Sequence, residues 1–473
     1  MGESPAINEK TLHYLWRTSR LFDTPLQTLD GRSLEIVQRG LYNLDSGPDF
    51  RQAAIRLQNT LIGGAVEMHL DSRDWYTHGH HQDPAYNEVI LHVALKNSLQ
   101  AATVRLENGC TIPQLILSQD QITTMGNIHE LSTAALPFFD CPLRHTNADQ
   151  ILLTLQKTSF ERFTQKVERF SEQIKGSNWD QLLYEGVCEA LGYAKNQTPF
   201  RKLARLVPID LLFSELRENR GHNPDVLTTA ILFGAAGLLS PPERHGITDY
   251  DITQYLHIRK EIWEHLRYVL QIQPMGAAEW QFFRLRPQNF PTRRIAGLAG
   301  LILKFYHSGM LETMVSLFSE NRNRPTLIIR ELRAFFTVPS DAFWEVHFDF
   351  RSRPPIPKVH LKTLIGQGRA DDMIINIILP VIAAFARDTE NAQLFNQVIE
   401  IYSAFPALQD NVLTRKMRRQ LFPAEAKKTP PQTKWGARLQ QGLIQLYKGY
   451  CRSLRCESCR ALTLPAAKLE TEI

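Results

Sequence analysis

Histidine and carboxylate side chains are unevenly spread along this chain, and the densest stretch runs from Gly47 to Val93. It holds His69, His78, His80, His81 and His92 together with Asp49, Glu67, Asp71, Asp74 and Asp83. Imidazoles and carboxylates are the groups that bind divalent metals and move protons near neutral pH. A second concentration lies near the other end, in YCRSLRCESCRAL, where Cys451, Cys456 and Cys459 fall within nine residues. Thiolates at such spacings hold Zn²⁺ or an iron–sulfur cluster. Each needs a fourth ligand, for which Cys110, Cys141 and Cys188 are available. Cys141, in LPFFDCPLR between the two halves of the chain, is the preferred partner, because a bridge from it to the tail would staple distant segments together. The third stretch is WQFFRLRPQNFPTRR, in which Arg284, Arg286, Arg293 and Arg294 interleave with aromatics. That combination grips phosphates and stacks on bases. A corner between helices, with the arginines paired to acids, is the competing account.

The elements that must position these groups change character near residue 130. Before it, short β-branched runs alternate with turn residues: 34–40, 53–58, 61–70, 88–96, 103–109 and 112–117 read as strands. After residue 150 the apolar spacing lengthens to three and four, the pattern of amphipathic helices. In AVEMHL, alternation puts Val66, Met68 and Leu70 on one face and Glu67 and His69 on the other, about 7 Å apart at Cα. A hairpin turning at Asn59-Thr60 returns this strand along 49–58 and sets Glu67 opposite a residue near 52, with Asp49 one diagonal away. Two carboxylates converging there would suit Mg²⁺ or Mn²⁺. His-Gly-His-His-x-Asp at 78–83 is dense enough to add ligands or a water-activating base, against the alternative of a polar loop capping a helix. His92, alone on its strand, reads as a hydrogen-bonded core residue.

Bulk properties exclude some classes. The chain has 473 residues, 43% hydrophobic and 22% charged, as an ordinary globular protein of two or three domains would. A formal charge of +5 permits a nucleic-acid partner without demanding one. No run of about 18 apolar residues occurs, so no membrane span is expected. The N-terminus has no apolar secretory core, which points to the cytoplasm and to cysteines kept as thiols or metal ligands.

Pro48-Asp49 followed by Glu67-Met68-His69 resembles the PD-(D/E)XK nuclease superfamily, where a Pro-Asp and a later acidic-X-Lys on adjacent strands bind metal and activate water. Here His69 stands where Lys is expected, and an imidazole can serve as base without supplying a fixed charge. The order strand, hairpin strand, helical segment (72–86), strand (89–95) is the one that resemblance implies. Over nearly the whole chain, the segments LHYLWRTSRLFDTPLQTLDGRSLEIVQRGLYNLDSGPDF, GAVEMHLDSRDWYTHGHHQDPAYNEVILHV, WQFFRLRPQNFPTRRIAGLA and the YC…C…C tail resemble a bacterial family known as domain of unknown function 2851. That family implies no activity.

The combined expectation is an α+β protein. An N-terminal mixed β-sheet domain (1–130) would carry a PD-(D/E)XK-like core, followed by a large all-α domain (150–414). A basic, Pro-bearing loop or linker (415–434) would lead to a C-terminal helix and cysteine cluster (435–473). The expected activity is a metal-dependent phosphodiesterase, a nuclease on DNA or RNA. Asp49 and Glu67 would hold the metal, His69 or His80 would handle water, and Arg284, Arg286, Arg293 and Arg294 would hold the nucleic acid. A hydrolase of small phosphates or amides is a variant of this reading. The alternative is a non-enzymatic helical scaffold whose only metal, at Cys141, Cys451, Cys456 and Cys459, is structural.

Overall fold

The computed structural model describes residues 8–18, 26–43, 46–118, 141, 143, 146–174, 178–193, 195–240, 250–283, 285–350, 362–422, 435–453 and 455–462. The chain divides into two compact units. One comprises residues 1–155, 412–433 and 443–473, and the other 156–411 and 434–442.

The first unit is organised by a mixed sheet. After helix α1 (Glu9–Thr18) come strands β1 (Leu26–Gln27), β2 (Ser33–Gln38), β3 (Leu41–Tyr42), β4 (Phe50–Leu57) and β5 (Thr60–Asp71). A short helix α2 (Asp74–Thr77) and two 3₁₀ turns (His80–Gln82, Pro84–Tyr86) lead to β6 (Val89–Lys96), β7 (Thr103–Arg105) and β8 (Thr111–Ile116). The strand order is β1-β2-β4-β5-β6-β8-β7, with β3 also on β4. β4 and β5 form an antiparallel hairpin, whereas β5, β6 and β8 run parallel. The parallel pairing is what the α2 crossover permits.

Alternation along β5 sorts the two faces. Val66 and Met68 join Leu12, Leu15 and Trp16 of α1, with Phe50, Ile55, Leu91 and Val93, in one apolar cluster. Ala65 instead packs with Trp75, Val89, Val104, Leu106 and Ile112, on the face where Glu67 and His69 also point. That second face is a mixed layer, with Glu67, His69, His80, His92 and Gln114 all buried in it.

The second unit is helical. Its core includes the almost wholly buried helix Pro224–Ala235, capped by Asn223, whose side chain accepts from the amides of Asp225 and Val226. Another central rod runs from Gln367 to Asp388 through a π-helical turn, Ile374–Ile378. Pro380 follows that turn, and the wider turn accommodates a ring that would clash with an ordinary helical carbonyl. No described helix is long and apolar enough to cross a membrane. The basic stretch expected to be a loop begins as helix, Val412–Leu421, because its apolar residues keep a helical spacing between the arginines. Residues 423–434 lie outside the described residues.

Candidate metal centre

The β4–β5 hairpin turns one residue earlier than the spacing predicts, and it carries a bulge. Leu57 pairs with Thr60 and Ala53 with Gly64, but Phe50 pairs with Val66, so one extra residue is taken up between Phe50 and Ala53. Gln52 absorbs it at φ 55°. The shift corrects the expected register: Glu67 lies across from Asp49, not from residue 52. The Asp49 amide donates to Glu67 Oε2 at 2.9 Å, and the Met68 amide donates to Asp49 Oδ2 at 3.0 Å.

The two carboxyl groups face different neighbours. Asp49 Oδ2 lies 3.0 Å from His13 Nε2 on α1, and His13 Nδ1 is 3.4 Å from the Tyr42 hydroxyl. Glu67 Oε1 points the other way, 3.3 Å from His80 Nε2 and 3.7 Å from His69 Nε2. His69 Nε2 is 3.2 Å from His78 Nδ1 and 3.3 Å from His80 Nε2. One nitrogen from each of His69, His78 and His80 therefore lies within 4.8 Å of the others.

Local chain geometry brings the two loop histidines in. Gly79 between them has φ 77°, a left-handed conformation that costs little only for glycine, and it lets His78 and His80 face a common point. Trp75 and Tyr86 wall the site. Trp75 is fully buried, with its indole N–H on the Arg105 carbonyl and its ring edge-on to His80. Tyr86 lies 3.9 Å from the His80 ring by centroid. His78 is exposed, so the site opens to solvent on that side.

A buried relay sets the tautomer of His69. The Gln114 amide nitrogen donates to the Ala101 carbonyl at 2.6 Å, which turns its oxygen toward His92 Nδ1, 2.9 Å away. A proton on His92 Nδ1 leaves His92 Nε2 as acceptor, and His69 Nδ1 donates to it across 2.9 Å. His69 Nε2 is then left with a lone pair directed at His78, His80 and Glu67. His92 is the hydrogen-bonded core residue the sequence indicated, and its hydrogen bonding places it behind the His69 ring.

Burial dominates the electrostatics of the cluster. Burial, and then the Asp49 charge, push the Glu67 carboxyl up to about 9. Burial, and then His92, His80 and His78, hold His69 down to about 2. Burial likewise lowers His92 to about 4, and it lowers His80. Neutral imidazoles are the form that ligates a metal.

The remaining expected residues are placed as follows. Arg293 and Arg294 are buried in the helix Pro291–Ile302 of the helical unit. Arg293 donates to the carbonyls of Trp344, His347 and Thr363, and Arg294 donates to the Leu364 carbonyl, the Tyr193 hydroxyl and Asn289 Oδ1. These guanidiniums are committed to the protein interior, which corrects their expected role as phosphate contacts. Arg286 is exposed, and Arg284 lies outside the described residues. Cys141, Cys451 and Cys459 are buried, and Cys456 is half-buried. The sequence reading missed His13, Glu9 and Gln114. Glu9, His13 and Arg17 recur every fourth residue along α1, a polar stripe beside the buried Leu12, Leu15 and Trp16 that could have drawn notice.

No curated protein and no solved structure matches the chain. The family described as "Protein of unknown function (DUF2851)" matches residues 9–411, a span that includes α1, every histidine of the site and most of the helical unit, and the chain belongs to that family.

Proposed function

We infer that the sheet unit is a metal-dependent hydrolase of phosphodiesters, with nucleic acid as its substrate class. The observation that carries this reading is the convergence of His69 Nε2, His78 Nδ1 and His80 Nε2 beside Glu67 Oε1. Tetrahedral coordination at metal–nitrogen distances of ~2.0–2.1 Å sets ligand atoms ~3.3–3.4 Å apart. The separations from His69 Nε2 are 3.2 and 3.3 Å, so a transition ion fits with little rearrangement. Three imidazole nitrogens suit Zn²⁺ or Mn²⁺ better than Mg²⁺, which prefers oxygen.

His69, His78 and His80 would hold the ion and leave it able to take a water, as catalytic sites do, and the exposed His78 puts the cluster within reach of solvent. A bound divalent ion would supply Lewis acidity and ease deprotonation of water. Glu67 Oε1, at the edge of the nitrogen set, is positioned to take that proton, while the Asp49 amide holds its other oxygen. Asp49 paired with His13 orients Glu67 from behind. Support for phosphodiesters comes from Asp49 and Glu67 facing each other on neighbouring strands, with a parallel strand following, the order that the PD-(D/E)XK resemblance implies.

The test is cleavage of bis(p-nitrophenyl) phosphate and of single- and double-stranded DNA and RNA by metal-stripped protein reloaded with Zn²⁺, Mn²⁺ or Mg²⁺. Cleavage should require the ion, and Glu67→Gln should lower kcat by about 10²–10⁴-fold. Absence of cleavage with every ion and substrate, or an undiminished rate in Glu67→Gln, rejects the reading. Binding of a polynucleotide substrate should weaken steeply with salt.

A further inference from the structure

Arg293 and Arg294 are turned into the helical unit, so the phosphates of a polynucleotide would have to meet other cations. The sheet unit carries a concentrated set of them on the helix Val412–Leu421, VLTRKMRRQL. Thr414, Met417, Gln420 and Leu421 are buried along one side of it. On the other side Arg415, Lys416 and Arg419 are exposed, and Arg418 is half-buried. The apolar side docks the helix, and the outward side is basic, with no acidic residue anywhere in the ten.

That arrangement works against the helix itself. Arg415 with Arg418, Arg415 with Arg419, and Lys416 with Arg419 stand three or four residues apart, the separations at which like charges repel on a helix surface. The macrodipole favours cations in the last turn, which accounts for Arg418 and Arg419. Arg415 falls in the first turn, where a carboxylate would be favoured and none occurs. Exposed Arg56, Arg205 and Arg330 each lie against a glutamate, whereas among the described residues no carboxylate pairs with Arg415 or Arg419.

A polyanion relieves such repulsion, and its kind follows from the rest of the helix. A membrane-surface helix offers the bilayer its apolar side, but here Met417 and Leu421 are buried in the protein. A protein partner needs apolar or aromatic anchors, and Val412 is the one large apolar residue exposed on this helix. Arg415 and Arg419 stand about 6 Å apart along the axis at the helical rise. Phosphates follow one another at ~3.4 Å along each strand of a duplex, so the pair spans about two of them.

We propose that the helix Val412–Leu421 is a contact surface for the sugar–phosphate backbone of a nucleic acid, with Arg415 and Arg419 as its principal cations and Lys416 beside them. The contact is charge on charge and reads no base sequence. It rests on the phosphodiesterase reading for its purpose, which is to hold the substrate on the unit that carries the histidine site. The family match ends at residue 411, so this helix lies beyond it.

The experiment is binding of fluorescein-labelled single- and double-stranded DNA and RNA to the full-length, metal-stripped protein over a range of salt, read by anisotropy. Arg415→Gln/Arg419→Gln is compared with wild type and with Arg322→Gln/Arg324→Gln, which removes the same charge from exposed arginines of the helical unit. The first variant should bind about 10-fold or more weakly, with a slope of log affinity against log salt shallower by about 2, one for each lost phosphate contact. The second should keep most of the wild-type affinity. The urea midpoint of the first should hold or rise, because the like-charge pairs are gone. Unchanged affinity in the first variant, or equal losses in both, overturns the proposal. So does a first variant that loses folded stability together with affinity, or wild-type protein that binds vesicles of phosphatidylserine and phosphatidylcholine but no oligonucleotide. Should the first variant weaken binding as expected while no ion supports cleavage, the phosphodiesterase reading fails and the contact surface stands.

Discussion

In the helical unit, the buried guanidinium of Arg293 is met by acceptors: carbonyls of Trp344 and His347 at one short helix and of Thr363 on a strand. In the sheet unit, the buried Nε2 of His69 is met by more of its own kind, His78 Nδ1, His80 Nε2 and Glu67 Oε1. Both regions bury polar groups of high desolvation cost. In one, donors and acceptors cancel and the arginine ties loops to a helix. In the other, ring nitrogens and a carboxyl group converge on one point, the arrangement that the proposed metal would complement. Burial alone therefore does not separate a structural polar residue from a functional one; what it faces does.

The contrast is broken most readily at Arg293. Arg293→Ala leaves several carbonyls without donors and should cost about 3 kcal/mol or more of stability, read as a lowered urea midpoint. Metal binding by the sheet unit should survive it. An unchanged midpoint would mean that these contacts do not hold the helical unit together. At the other pole, His78→Ala removes an exposed ligand. It should weaken Zn²⁺ binding at the histidine site by at least about 100-fold while shifting metal-free stability by no more than about 0.5 kcal/mol. Competition against a chelating dye reads the first quantity, and denaturation in chelator reads the second.

A finer cut is Gln114→Leu, which removes the oxygen that sets the His92 tautomer without touching any proposed ligand. About 10-fold weaker metal binding is expected, with a slower or pH-shifted reaction where His69 no longer presents Nε2. Wild-type affinity in that variant would leave the relay as packing only.

The smallest effect concerns pH in the metal-free protein. Glu67 moves from 4.5 to about 9 on folding, so between those values the folded form keeps a proton that the unfolded form releases, and stability falls as pH rises. His69 and His92 move from 6.5 down to about 2 and about 4, so stability also falls as pH drops below 6.5. Glu67→Gln should flatten the alkaline limb and leave the acid limb. Thermal midpoints measured in chelator across the window test this, and an alkaline limb that persists in Glu67→Gln would assign it to another group.

Much of this was legible in the residues themselves. Period-two alternation was enough to put Glu67 and His69 on one face, because a strand has no other way to dispose them. The density of histidines at 78–81 marked the loop whose His78 and His80 come to His69. Three things were not legible. The bulge at Gln52 is a property of two strands together, and it moved Asp49 from a diagonal neighbour to a direct one. His13 belongs to a helix far earlier in the chain, and only folding brings it to Asp49. Arg293 and Arg294 carry the composition of a phosphate-gripping surface, but composition does not tell which way a helix turns. Their partners are carbonyls of residues 344–364, invisible to any local window.

The extra residue at Gln52 gives the hairpin a vernier. On the outer side of the bulge the pairs add to 116, and on the turn side they add to 117 (50 with 66, 53 with 64). Were the bulge ironed out with every residue kept, the turn-side sum would run on to put Phe50 opposite Glu67 and Asp49 opposite Met68, with every side chain on that arm changing face. The hydrophobic half of the hairpin, from Ala53 to Gly64, would keep its alignment. One residue thus separates the register of the hairpin's apolar half from that of Asp49 and Glu67.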